Sequence, residues 1–264
     1  MKVGKAIYNI LSKSTDVQSN FPFNTTDYAP TGTDKILNGD FSGGTFSPWA
    51  ANSNWSLGGV GAMADGTSNN SLWQAGVIED NKSYIVTYTL SNFTQGSVNV
   101  DLAGTDGVTR AFSGASPVTY TEYIVAGTSP TTRISFQGSG NYIVTLSNVS
   151  VLEVVLTKIF PELAPPDIDA PYIVYSVVSN SPSETKNSNG DIDTANIEVY
   201  GFQDTYNKAV DLGVSVRAAL DRKTGTYNTI EIQSTNYVNE QMDVNEARKL
   251  WAAIQDYSIR IKNI

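Results

Sequence analysis

Six side chains in the first part of this chain have the chemistry of carbohydrate recognition: Trp55, Trp73, Gln74, Tyr88, Tyr120 and Gln137. Flat apolar rings stack on the CH-rich side of a pyranose, while amides and carboxylates hydrogen-bond its hydroxyls and fix its orientation. Only some of the six can lie at a site, because Phe41, Trp49, Phe136 and alternate positions of every strand must fill a core. Trp55 has the most polar surroundings, Asn52, Ser53, Asn54 and Ser56, and so the strongest claim to exposure. Glu79 and Glu122 are carboxylates of the kind a glycosidase needs, but nothing in the sequence pairs them across a bond, and no catalytic residue is assigned. The chain has no Cys and no His. Thiolate and imidazole metal ligands, disulfides, Cys nucleophiles and every triad with a His base are therefore excluded.

The elements that must position these residues fall into two compositional zones. Residues 18–157 are rich in Ser, Thr, Asn and Gly and offer no amphipathic helix, whereas helical stripes and charge return in residues 1–17 and 158–264. The expected organisation is a discontinuous outer domain (1–17 and 158–264) interrupted by an inner one (18–157), each long enough to bury a core. In the inner segment, short strands rich in Val, Ile, Thr and Tyr recur at 83–91, 97–102, 119–126, 132–137 and 142–151. Turn chemistry separates them at Gln95-Gly96, Gly104-Thr105-Asp106-Gly107, Gly127-Thr128-Ser129-Pro130 and Gly138-Ser139-Gly140-Asn141. Many short alternating strands without helices predict an all-β jelly-roll sandwich.

In the outer segments, Val3, Ile7, Ile10 and Leu11 share one face of a helix over 2–13, which should pack against a sheet. Residues 172–178 and 196–200 read as strands flanking a polar loop, with Asn189-Gly190 as its turn. Asp204 is the expected N-cap of a helix carrying Tyr206, Ala209, Val210, Gly213, Val216 and Leu220. Strands follow around 229–237 and at the C-terminus, while 244–254 fits helix and strand equally. Glu162, Asp167 and Asp169 read as solvated charge, and Tyr172, Tyr175, Tyr200 and Tyr206 as core and sheet packing. The fold class expected of the outer domain is α+β, a helix packed on a small mixed or antiparallel sheet.

Net charge is −9, which argues against a grip on phosphate backbones but suits a passage through which DNA slides without sticking. The N-terminus has a basic start but no long apolar region, and nowhere do about 18 apolar residues run together, so a soluble chain without a signal peptide or membrane span is expected.

The short first helix, the Ile159-Phe160-Pro161 entry, the Asp167 to Tyr175 strand, the Ile197-Glu198-Val199-Tyr200 strand leading into the 206–220 helix and the closing Gln255 to Ile259 strand together resemble the tail completion proteins, or tail terminators, of long-tailed bacteriophages. The resemblance implies a virion protein: a subunit of a hexameric ring that caps the tail tube at the neck and meets the tail tube protein on one side and head-completion or connector proteins on the other. Such a ring would assemble by edge-strand pairing and helix contacts. The departure from that family is the inner domain itself.

The inner segment, from Leu37-Asn38-Gly39-Asp40-Phe41 through Trp49, Leu72-Trp73-Gln74 and 82–88 to Leu146-Ser147-Asn148-Val149-Ser150-Val151, resembles jelly-roll carbohydrate-binding modules over residues 36–152. That implies host or mucus glycans as partners, with Trp55, Trp73, Gln74, Tyr88 and Tyr120 as binding residues. It also implies no catalytic cofactor and, as in related modules, a structural calcium ion where Gly39, Asp40 and Asn148 meet. Asn148 stands where an acidic ligand would strengthen that site. The alternatives are an adhesin or enzyme accessory module in which the outer domain is a scaffold, and a jelly roll that only decorates the neck.

Overall fold

The computed structural model describes residues 2–52, 54–59, 61–65, 71–111, 114, 116–183, 192–227 and 229–263. The chain divides into two compact units, one of residues 1–29 with 156–264 and one of residues 30–155. The composition changes near residue 18, yet residues 18–29 pack with the first unit. Gln18 is buried there, its Nε2 donating to the Ser12 carbonyl (2.6 Å), and the Tyr28 hydroxyl donates to the Gln18 carbonyl (3.3 Å).

The inner unit is a β-sandwich of the jelly-roll kind. Its main strands are β1 (Trp55–Gly58), β2 (Gly61–Asp65), β3 (Ser71–Gln74), β4 (Ser83–Leu102), β5 (Val118–Val125) and β6 (Ile134–Leu156). β4 and β6 run antiparallel, from Leu102 opposite Ile134 to Tyr84 opposite Glu153. β5 flanks β4, β2 and β3 flank β6, and β1 lies on β2. Strand alternation sends Tyr84, Val86, Tyr88 and Leu90 of β4 and Phe136, Val144 and Leu146 of β6 into one core with Phe41, Trp49 and Trp55. Gln95-Gly96 and Gly138 to Asn141, expected as chain reversals, are irregularities inside the two long strands. Gly96 has φ +79°, and a Cβ there would stand 2.6 Å from the Tyr142 backbone, so the strands bend over one another only because this residue is glycine.

The ends of each unit's segments are stitched side by side. Within the inner unit, Thr31 N donates to Glu153 O (2.9 Å) and Lys35 N to Val151 O (2.9 Å); within the outer, Thr157 N donates to Asp27 O (2.8 Å).

The outer unit begins with α1 (Lys2–Lys13), whose Val3, Ala6, Ile7, Ile10 and Leu11 are buried at the spacing of one helical face. Its sheet has the order β7-β8-β9-β12-β11-β10, built from β7 (Ile159–Pro161), β8 (Tyr172–Ser183), β9 (Ile192–Gln203), β10 (Gly225–Tyr227), β11 (Ile230–Asn245) and β12 (Leu250–Asn263). β7 and β8 are parallel; the other neighbours are antiparallel. Between β9 and β10 lies α2 (Tyr206–Leu220). Thr205, not Asp204, caps it, accepting from Lys208 N, while Asp204 pairs with Lys208 Nζ (3.0 Å). Gly201 of β9 lets α2 approach, since a Cβ there would stand 3.0 Å from Leu212 Cδ2.

The expected α+β class is overturned. Strands make up 55% and helices 14% of the structure, in two curled sheets, so the outer unit is not a helix on a small sheet but a β-dominated body with long hairpins. The reason is local. Residues 239–245, which are mostly polar, continue β11, and 250–254, where helix and strand patterns tied, begin β12. Cross-strand pairing with β12 over Asn239 to Asn245 decided what periodicity could not. The Asn189-Gly190 turn lies outside the described residues.

Candidate functional site

On the inner unit, one sheet face gathers a row of sugar-compatible groups. Antiparallel partners share a face, and the register sets Trp73 (β3) beside Ser135 (β6), Ser135 beside Asp101 (β4), and Gln137 beside Asn99. Their neighbours in sequence, Leu72, Ile134, Phe136, Val100 and Leu102, point the other way and are fully buried. A chain of hydrogen bonds runs along the row, with Gln137 Nε2 donating to Ser135 Oγ (3.1 Å) and Ser135 Oγ to Asp101 Oδ1 (3.3 Å). Asn99 Nδ2 donates to Asp106 Oδ1 (2.7 Å) at its margin. Arg133 lies with Cζ 5.8 Å from the half-buried Trp73 ring. Burial pushes the Asp101 carboxyl above its usual range, against the opposing pull of the Gly104 N–H and the Ser135 hydroxyl. Ser135 is fully buried and Asp101 is 7% exposed, so the face offers a ligand the Trp73 indole, the Arg133 guanidinium, the exposed Asp106 carboxylate and the Gln137 and Asn99 amides, with Ser135 and Asp101 bracing them from beneath.

The structure separates the predicted binding residues. Trp73 is on this face. Trp55 is 6% exposed and is part of the core: it stands opposite Ala64 at the start of β1, its ring 6.0 Å from Tyr142. Of its polar neighbours only Ser56 shares the strand, where it takes the exposed position next to the buried ring. Gln74 is 1% exposed and acts as a strap, Nε2 donating to Leu37 O (2.9 Å) and Oε1 accepting from Leu37 N (3.1 Å).

Tyr88 and Tyr120 belong to a different cluster, around Glu122. Tyr88 is buried, packed edge-on to Phe136 at 5.2 Å, and its hydroxyl donates to Glu122 Oε1 (2.6 Å). Burial first, then the Glu122 bond, pushes that phenol up. Tyr120 is half-buried beneath Arg110 (Cζ 4.5 Å from the ring). Glu122 also accepts from Arg110 Nη2 (2.9 Å) and Nε (3.2 Å) and from Val108 N (2.7 Å). Its lone pairs are committed to structure, and Glu79 stands in ion pairs with Lys35 (3.6 Å) and Lys82 (3.9 Å).

At the expected calcium position, Asp40 Oδ1 accepts from Ser42 N (3.1 Å), and the Ser42 bonds hold that carboxyl below its usual range. Gly39 O accepts from Val149 N (2.9 Å), and Asn148 sits in the left-handed region at φ +52°. Among the described residues no group of three or more acidic side chains converges. Asp40 is the one carboxylate of the expected set, a sparse donor set for calcium.

Sequence reasoning missed Asn99, Asp101, Asp106, Arg133 and Ser135. The signal was available in the alternation: polar Asn99 and Asp101 interleave with apolar Val98, Val100 and Leu102, and Arg133, Ser135 and Gln137 with Ile134 and Phe136.

Residues 144–262 match the family described as tail completion protein gp17. Among solved structures, a virion of a native gene transfer agent particle is similar at 12% identity, over 40% of this chain and 80% of that one, with a TM-score of 0.34. The CBM22-1 xylan-binding domain from Paenibacillus barcinonensis Xyn10C is similar at 11% identity, over 49% of this chain and 99% of that domain, with a TM-score of 0.39. A family 16 carbohydrate-binding module gives 14% identity, 45% and 99% coverage and a TM-score of 0.31. No curated protein matches the chain. The family match lies almost wholly in the outer unit and agrees with the resemblance read there from the sequence.

Proposed function

We propose that this chain is a phage tail completion protein, a structural virion component forming a ring at the head-tail junction, and that its inner unit binds a glycan through the face around Trp73. For the ring, the supporting observation is the family match over the outer unit. A hexamer seated between tail tube protein and connector proteins fits it, and the −9 charge fits a conduit that DNA traverses without adhering. For the glycan, the observation that carries the reading is the partly exposed Trp73 on one face with Gln137 and Asn99, braced by the buried Ser135 and Asp101. Host-surface or mucus polysaccharide is the ligand class, because a shallow face meeting one or two sugar rings suits repeated weak contacts made by many copies.

Affinity per site is expected at roughly 10 μM to 1 mM, since few kcal/mol remain after ordering a flexible sugar. Assembled copies then hold polysaccharide far better than one module does. The test is a glycan array probed with the assembled full-length protein and with Trp73→Ala. Binding lost in the variant supports the site. A blank array for the wild type removes the glycan reading and leaves the inner unit as decoration, while a protein that never forms rings, alone or with tail tube, removes the ring.

A further inference from the structure

The face of the outer unit's sheet that α2 does not cover carries an aromatic groove of about 680 Å³. Its floor is Tyr172 stacked on Phe202 (centroids 4.6 Å apart, planes at 21°), with Tyr200 beside Phe202 (6.2 Å, 9°). One wall is the turn after β7, on which Leu163 is 82% exposed. Arg248 closes an end: Cζ lies 5.4 Å from the Tyr172 ring, Nη1 donates to Tyr172 Oη (3.1 Å), and Nη2 bonds the Ile168 carbonyl. Among the described residues its partners are all neutral, so its charge is not compensated, in a chain whose net charge is strongly negative.

The complement sits on the opposite side of the same sheet. Gly201 faces Leu212 of α2, whereas its strand neighbours Tyr200 and Phe202 form the groove floor, so helix and groove occupy opposite faces. The outward side of α2 presents Val214, 62% exposed, with Asp211 and Ala218 one turn away in each direction, both exposed. The Asp211 carboxylate has no ion pair or hydrogen bond among the described residues. One surface therefore has an aromatic hollow beside a cation without an anionic partner, and the other a small apolar ridge beside an unpaired carboxylate.

We propose that these two surfaces meet between copies: Val214 and Ala218 of one α2 enter the groove of the next subunit, and Asp211 pairs with that subunit's Arg248. This rests on the ring reading above and names the faces that build the ring. Because the two surfaces lie on opposite sides of one unit, the contact is head-to-tail, which forms a ring where the rotation between subunits closes and a filament where it does not. It also gives the sheet a helix on both faces, the arrangement that buries an aromatic floor.

Edge-strand pairing, the route expected from sequence, is guarded on the β8 side of the sheet, whereas on the far side β10 covers β11 only at Ile230–Ile232. Past its pairing with β7, β8 meets Glu162, whose Oε1 accepts from Val177 N (3.4 Å), and Pro182 offers no N–H for a further strand.

The experiment is sedimentation velocity and mass photometry on the full-length chain. Wild type is expected as a closed oligomer. Val214→Glu and Asp211→Arg should each weaken assembly at least tenfold in concentration while leaving the circular dichroism spectrum of the folded subunit unchanged, since neither side chain has an internal partner among the described residues. Combining Asp211→Arg with Arg248→Asp should recover assembly relative to either single change. Arg248 also ties down the 162–171 turn, so Val214→Glu keeps the test independent of that role. A wild-type ring that tolerates Val214→Glu and Asp211→Arg overturns this pairing and leaves the ring reading intact. A wild type that remains monomeric at every concentration, with or without tail tube, overturns both.

Discussion

Replacing Trp55 with alanine tests the placement of the jelly-roll core. Trp55 is 6% exposed, so truncation removes nearly a full indole from the space bounded by Ala64 and Tyr142. A buried aromatic hides roughly 150–250 Å². At about 25 cal/mol per Å² that is about 4–6 kcal/mol, an upper bound. Core aromatic truncations measured elsewhere cost about 3–5 kcal/mol, because the cavity relaxes only partly. For a unit of this size, each kcal/mol lowers the midpoint by about 3–5 °C, so a fall of roughly 10–20 °C is expected. Differential scanning calorimetry reads the shift. Hydrogen exchange assigns it, since amides of β4 and β6 should lose protection while those of β12 keep theirs. Trp73→Ala should do the reverse, melting within a few degrees of wild type and losing sugar. If Trp55→Ala melts with the wild type and loses sugar binding, the core assignment and the site built around Trp73 are both wrong.

Glu122→Ala should destabilise the inner unit by about 3–5 kcal/mol in denaturant titration, because it strands the Arg110 guanidinium and the buried Tyr88 hydroxyl; a change below about 1 kcal/mol would show the cluster to be dispensable. Asp101 has its carboxyl raised by burial, so the stability its protonated form supplies is present below the unfolded value of about 3.9 and lost as pH rises through the higher folded value. Asp101→Asn is therefore expected to melt at or above wild type at pH 7, and a lower midpoint at pH 7 would contradict the burial argument. Deleting residues 30–155 and bridging with a short Gly/Ser linker should leave a soluble, cooperatively melting outer unit, and aggregation of that variant alone would show that the units do not fold independently. EDTA and calcium should shift the inner unit's midpoint by no more than a degree or two if Gly39, Asp40 and Asn148 are the whole donor set, whereas a large calcium-dependent rise would reveal a fuller site.

Much of the architecture was legible because the physics behind it is local. The stripe of Val3, Ile7, Ile10 and Leu11 makes α1 wherever there is a sheet to cover, and the run Tyr172 to Val178 has no better use than a strand. The outer unit was misjudged where polar residues continue as strand. Asn239, Glu240 and Gln241 carry no apolar alternation, and they extend β11 because β12 offers a ladder along its whole length, a fact that exists only in three dimensions. The binding residues suffered from the same limit in reverse. Composition around Trp55 signalled exposure, but the parity of a single strand decides which way a ring points, and that parity is set by Ala64 across the sheet. Trp73 can be picked out by type alone, yet its companions Asp101 and Arg133 come from strands far away in sequence, and only the register of β3, β6 and β4 brings them together.

The stitched seam, Thr157 to Asp27 in one unit and Thr31 to Glu153 in the other, gives the chain a property that concerns ancestry more than stability. A domain whose first and last residues are hydrogen-bonded neighbours can enter a host loop whose own ends are likewise held together, and neither must be remodelled to receive the other. Exchange of the cassette between 30 and 155 would then leave the host's sheet, helices and assembly surfaces as they were. Recombination within a single gene could exchange the cassette alone, and a designer could graft an enzyme, an epitope or a lectin at the same two residues.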